Sequence, residues 1–397
     1  PDFDLSDLAE WEERLEAHLH GLNIAGENGW KISRDLGWEA GGEYFTAASL
    51  ALKQGNLKWF EEVLESLEEN PDFGYALISA LGWAEASQLK GIVKSLLDHN
   101  SPLRRFIGIG ACAVQRRNPG NQLRDALSDE NSFLRARALK AVGELGLVEL
   151  REEVEKSLEH PDQTCSFWAA WSSTLIGRKE STNILASFAS TDNPFRRLAL
   201  VLYMVSVEPD GGKRWLRGML SNSDQLRWSI IGAGIQGDAF YLEPLMKQFE
   251  DDEVARVAGE AFELITGLDI FYESLEVIPE IDQPEKESLS DDEEDGEASD
   301  QLDEDDYEDL GEDESLVIPD VSKMTDWWGS NRSRFEVGKR YLLGKELGND
   351  AYKNALEHGR QRQRECAALS LALTNPDSPL FPTRDRAKRQ LAKLQDR

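Results

Sequence analysis

The chain has 397 residues, a formal net charge of -31 and 40% hydrophobic residues. That length and apolar content support a folded core with an appendage and exclude a wholly disordered chain. The charge is uneven: Asp282–Glu314 carries 19 acids and one Lys, Asn331–Arg397 carries 15 Lys and Arg against 8 acids, and the first 281 residues hold a net -19. Acid at that density repels phosphate, so nucleic acid is not an expected partner and a basic protein is.

The first thirty residues contain Asp2, Asp4, Asp7, Glu10, Glu12, Glu13 and Arg14 without an apolar run, and no stretch of about 18 uninterrupted apolar residues follows. Neither a signal peptide nor a membrane span is expected. Three widely spaced cysteines, Cys112, Cys165 and Cys366, fit a reducing cytoplasm.

In chain order, the pattern predicts a helix over Leu5–Leu22, which with the Gly- and Trp-rich passage from Gly21 to Gly42 forms a cap over residues 1–42. A repeat region of residues 43–270 follows. Eight segments open with the same apolar-plus-small pattern, at Phe45, Phe73, Leu103, Leu134, Cys165, Phe195, Leu226 and Val254, at steps of 28 to 31 residues. Leu134 to Gly146 is the clearest unit: apolar residues recur every three or four positions and Gly146 follows where a helix would stop. A second amphipathic stretch lies between openings, such as Leu150 to Leu158. Each unit therefore reads as two helices and two turns, stable only when stacked on its neighbours.

Residues 280–316 are almost wholly acidic or small, and the composition predicts a disordered acidic linker. Asp326-Trp327-Trp328, Phe335 and Tyr341-Leu342-Leu343 then restore apolar content, and a helical stretch is expected from Asp350 to Leu373. Residues 317–397 read as a small, basic, aromatic C-terminal subdomain.

Gly232-Ala233-Gly234-Ile235-Gln236-Gly237 matches the dinucleotide fingerprint, but it lies inside a repeat helix with no strand ahead of it; close helix packing and a helix stop explain it better. His18 and His20 would point about 200 degrees apart on a helix, and His99, His160 and His358 stand without acidic or Cys neighbours at ligand spacing. Asp303 does not begin a calcium loop, because Glu308 stands where Gly is needed. No metal, cofactor or catalytic constellation is expected, and the chain is not expected to be an enzyme.

Laying the repeats in register makes Arg137, Lys140 and Glu144 the solvent face of their helix, and the equivalent positions one unit on are Trp168, Trp171 and Leu175. One unit earlier they are Phe106, Ile109 and Ala113, and two units on Leu198, Val201 and Val205. Helices apolar all round are normally covered. Three covers are open: tight curling of the helices themselves, the Trp327-Trp328 subdomain, or an outside partner. For a partner, Trp168, Trp171, Phe106, Leu198 and Val201 are the candidate binding residues.

The openings Leu103-Arg104, Leu134-Arg135, Phe195-Arg196 and Leu226-Arg227 resemble the second helix of HEAT repeats. That resemblance implies an all-α fold, a HEAT-like α-solenoid of about eight helical repeats whose second helices line the concave face. Further stretches are similar to a bacterial HEAT-repeat family encoded beside type VI secretion components: Arg14-Leu15-Glu16-Ala17-His18-Leu19, Phe167-Trp168-Ala169-Ala170-Trp171, Gly259 to Gly267, Trp327-Trp328 with Asn331, Arg334-Phe335 and Arg340 to Gly344, and Gln361-Arg362-Gln363-Arg364. The resemblance implies an immunity protein that binds and neutralises a toxic effector, nuclease-type effectors included, or else an accessory scaffold or effector-loading chaperone of the same system.

Overall fold

The computed structural model describes residues 3–220, 223–278 and 313–395. It is all-α in class: among the described residues, strand is limited to two segments of two residues each. The expected acidic linker lies outside the described residues apart from 313–316.

Two compact units divide the chain: Pro1–Gln225 together with Lys345–Arg397, and Leu226–Gly344. The segment 317–397, expected as one subdomain, is therefore divided between the two units at Gly344 and Lys345. Residues 345–397 belong with the N-terminal helices.

The first unit begins with α1 (Leu5–Ala25), α2 (Glu27–Leu36), α3 (Gly41–Gln54), α4 (Leu57–Glu69), α5 (Gly74–Trp83), α6 (Ile92–Leu97) and α7 (Pro102–Val114). It continues with α8 (Asn121–Ala126), α9 (Ser132–Leu145), α10 (Arg151–Glu155), α11 (Gln163–Leu175), α12 (Thr182–Ser190), α13 (Arg196–Ser206) and α14 (Pro209–Met219). Local chemistry sets these boundaries. Asn56, Ser101, Asn131 and Asp162 each accept backbone N–H groups that open α4, α7, α9 and α11, and Pro102 takes the first position of α7, where no N–H is needed. Every second helix packs on the next in the series, α3 on α5, α5 on α7, α7 on α9 and α9 on α11, while α4 packs on α3, α6 on α7, α8 on α9 and α10 on α11. Close approach needs small residues: a Cβ on Gly143 would lie 2.9 Å from Ser172 Cα, and the Ser172 hydroxyl uses that proximity to donate to Leu139 O at 2.6 Å.

The second unit contains α15 (Leu226–Gln236), α16 (Leu242–Met246), α17 (Ala255–Thr266) and α18 (Val321–Asn331). The repeat openings meet helix starts in both units: Leu103, Leu134, Cys165 and Leu226 are among the first three residues of their helices, Phe73, Phe195 and Val254 immediately precede theirs, and Phe45 is one turn inside α3.

Returning to the first unit, the stretch expected as one helix from Asp350 is two, α19 (Asn349–His358) and α20 (Gln361–Thr374), broken at Gly359, followed by α21 (Ala387–Gln395). This C-terminal segment travels back along the helix series. Helix α20 packs on α13 and α11, and Leu380 N–H donates to Glu144 O at the end of α9. Leu380 O accepts from Arg116 Nε at the end of α7, Arg389 donates to Gly82, Trp83 and Ala84 carbonyls at the end of α5, and α21 packs on α1. Cationic side chains suit helix C-termini, where carbonyls are orphaned and the helix dipole is negative.

Candidate functional site

Of the five residues expected to face a partner, Trp168, Trp171, Phe106 and Val201 are buried inside the first unit and Leu198 is half-buried. Trp168 and Trp171 are 7% and 6% exposed, with their rings nearly perpendicular at 5.4 Å. Lys140 Nζ lies 4.5 Å from the Trp168 ring centre, and Phe195 meets the same indole edge-on. Phe106 is buried between Tyr75 and Phe133, and Val201 is buried on α13 with Leu198 half-buried beside it. Helix α20 packs on both α11, which carries Trp168 and Trp171, and α13, which carries Leu198 and Val201, whereas Phe106 lies on α7. An outside partner therefore does not meet these side chains as an open surface. In the second unit, the rings of Trp327 and Trp328 both pack edge-on against Phe262.

Arg137, Lys140 and Glu144 share a face as the register requires, but it is not the solvent face. Arg137 is buried and its Nη2 donates to Glu144 Oε2 at 2.5 Å, with Lys140 Nζ 3.9 Å from the other oxygen. Burial pulls the Lys140 amine down to about 8; Glu144 opposes that shift, whereas Arg137 and Arg384 add to it. Burial alone would raise the Glu144 carboxyl, yet Arg137, Lys140 and Arg116 outweigh it and hold the group below its ordinary range. The C-terminal segment lies beside this group: Leu380 N–H donates to Glu144 O, and Arg384 adds to the field on Lys140.

Arg364 had no role assigned to it from sequence beyond its place in the Gln361-Arg362-Gln363-Arg364 string. It is fully buried, and its guanidinium donates to Leu356 O, Gln361 Oε1 and Gln390 Oε1, tying α19, α20 and α21 together. The only sequence signal was an arginine inside an amphipathic stretch, which usually marks a solvated face.

The isolation expected for His160 is overturned. His160, Asp162 and Cys165 bring ligand-type atoms within 4.8 Å of one another at the start of α11. Helix capping accounts for the arrangement: Asp162 Oδ1 accepts from Cys165 N–H, His160 Nδ1 accepts from Asp162 N–H, and Cys165 Sγ donates to Ser132 O. Burial, helped by Asp162, pushes the Cys165 thiol up to about 11, away from the thiolate a metal needs.

The glycine string of α15 has packing work within the second unit. A Cβ on Gly234 would lie 2.8 Å from Ala261 Cα on α17, and Gly237 takes φ +78° while its own Cβ position falls 2.5 Å from Tyr341 O. Neither glycine is placed as a phosphate cradle.

The exposed surface of α1 to α4 has a different character. From Phe3 to Tyr75, eleven carboxylates are exposed (Asp7, Glu10, Glu13, Glu27, Asp35, Glu39, Glu43, Glu65, Glu68, Glu69 and Asp72) against four cations, Arg14, Lys31, Arg34 and Lys58. Large apolar side chains are exposed among them, including Trp11, Ile24, Ile32, Leu57 and Leu36, the last at 78%. On α2, Trp30 stacks on Trp59 of α4 at 4.9 Å; Ile32 and Leu36 fall about 200 and 240 degrees around the helix and are turned away from that contact.

No helix among the described residues is long and apolar enough to cross a membrane. Compared with family models, with curated proteins and with solved structures, the chain matches none.

Proposed function

We propose that this chain is a cytoplasmic, non-catalytic binding protein of a type VI secretion locus that neutralises a basic, nuclease-type toxin by covering its active or substrate-binding surface. In this reading the stacked helices are a HEAT-like solenoid of about eight repeats. The observation that carries the proposal is the surface of α1 to α4, with eleven exposed carboxylates against four cations and exposed apolar side chains among them. An acidic rim steers a basic partner into encounter, and apolar anchors hold it after contact. The buried Trp168 and Trp171 have no direct part in that contact.

The test mixes the full chain with the toxin encoded beside it. A stable complex, loss of toxin activity and protection of cells are the expected results; absence of both complex and protection rejects the proposal. A complex that leaves toxicity intact, together with loss of effector secretion in a deletion strain, assigns the chain instead to an accessory or effector-loading role.

A further inference from the structure

A cleft of about 320 Å³ opens within the first unit between α1, α3, α5 and the residues just before α21. Its size is at the lower end of the roughly 300–1,000 Å³ of small-ligand pockets. Leu52, Ala80 and Ala84 supply apolar lining. Trp83 is held in place: its Nε1 donates to Glu16 Oε2 at 2.9 Å, and the Arg386 guanidinium lies 4.6 Å above its ring.

Three residues lining this cleft carry polar atoms with no hydrogen-bond partner among the described residues, two of them, Ser49 Oγ and Arg386 Nε, being buried. Ser49 is 4% exposed and its Oγ has no hydrogen-bond partner among the described residues. Arg386 Nε is likewise unpartnered; its terminal nitrogens stand 3.6 Å from Glu16 and from Glu85, ion-pair contacts longer than a hydrogen bond. The Gln88 side chain accepts Glu85 N–H through Oε1 and makes no other hydrogen bond among the described residues, leaving its Nε2 hydrogens available, while its backbone N–H donates to Glu85 O. A buried hydroxyl without a partner costs free energy, so a ligand that completes it gains from doing so.

Charge narrows the ligand class. Glu16 and Glu85 balance Lys53 and Arg386 among the lining residues. Although burial alone would push the Glu16 carboxyl up, the Lys53 and Trp83 contacts bring it below its ordinary range, so it stays ionised. A charged ligand would have to break those pairs. A neutral ligand rich in acceptor oxygen would use only the spare donors.

We propose that this cleft binds an uncharged stretch of extended peptide, with backbone carbonyl oxygens accepting from Arg386 Nε, Gln88 Nε2 and Ser49 Oγ, and a small apolar side chain against Leu52, Ala80 and Ala84. The inference does not depend on the toxin reading. It concerns a second, side-chain-lined recognition site whose chemistry is neutral rather than acidic.

The experiment titrates N-acetyl-leucine N-methylamide into the full-length protein and follows saturation-transfer NMR, with acetate and free leucine as charged probes. Saturable binding of the amide is expected, with little binding of either charged probe. Ser49→Ala and Gln88→Ala should each weaken it by about fivefold, the equivalent of one ordinary hydrogen bond. If Ser49→Ala lowers the melting temperature, the half-exposed Gln88 decides the matter. No saturable amide binding, equal binding of acetate, or unchanged affinity in stable variants overturns the proposal and leaves water as the partner of these groups.

Discussion

On α9 the pair Arg137 and Glu144 makes a buried ion contact with Lys140 alongside, where charged residues spaced three and four apart had suggested a solvent face. A pH consequence follows from Lys140. Its folded amine is pulled down to about 8 from an ordinary 10.5, chiefly by burial, so between those values the unfolded chain binds more protons and stability rises with pH. Buried thiols Cys112 and Cys165, pushed up to about 11 by burial, act oppositely from about 9 upward. Lys140→Met removes only the first effect. Urea unfolding of both proteins should therefore give a wild-type-minus-variant stability difference that rises from pH 8 to 10.5; a flat difference would mean that Lys140 is solvated. Trp171→Ala, at a 6% exposed site, should cost about 3–5 kcal/mol in the same assay. A cost below about 1 kcal/mol would place the indole outside the core.

At the scale of elements, the C-terminal segment crosses the ends of α9, α7 and α5, and the αL cap of α9 shows how closely. Gly146 has φ +65°, and a Cβ there would lie 2.5 Å from Ser378 O. Gly146→Val meets both a backbone penalty and a clash with backbone that has no flexible end to yield. The variant should unfold at lower urea concentration, and hydrogen exchange should accelerate at Leu380 N–H, which bonds Glu144 O. Unchanged exchange at Leu380 would mean that the segment is held without this crossing. The helix starts were legible from the repeat openings, such as Leu134 and Cys165, and the structure adds the caps Asn131 before α9 and Asp162 before α11. The crossing was not legible. Its bonds join groups more than two hundred residues apart and end on backbone carbonyls such as Glu144 O, Leu380 O and Gly82 O, which leave no mark on residue identity.

For the whole molecule, the excess of acid belongs to composition and acts at long range. A net charge of -31 should make association with a basic protein fast at low ionic strength and slow as salt screens it. In the proposed complex, Glu65→Lys with Glu68→Lys and Glu69→Lys should lower the association rate and its salt dependence more than the dissociation rate changes, as stopped-flow or surface binding would show. Equal association rates in variant and parent would remove α4 from the encounter surface.

Composition and the period of the apolar pattern by themselves determined an all-α chain with helices opening where the repeats open. The reason is that helical period is a property of short windows. Only the tertiary structure decided which faces are inside. Trp168, Trp171, Phe106, Leu198 and Val201 read as partner anchors because their helices looked uncovered, and α20 from the far end of the chain takes that place over α11 and α13. A helix face shows in sequence that it needs a cover, since its apolar residues are local. The identity of the cover is a choice among distant segments, settled by summed packing and backbone hydrogen bonds that no single window contains.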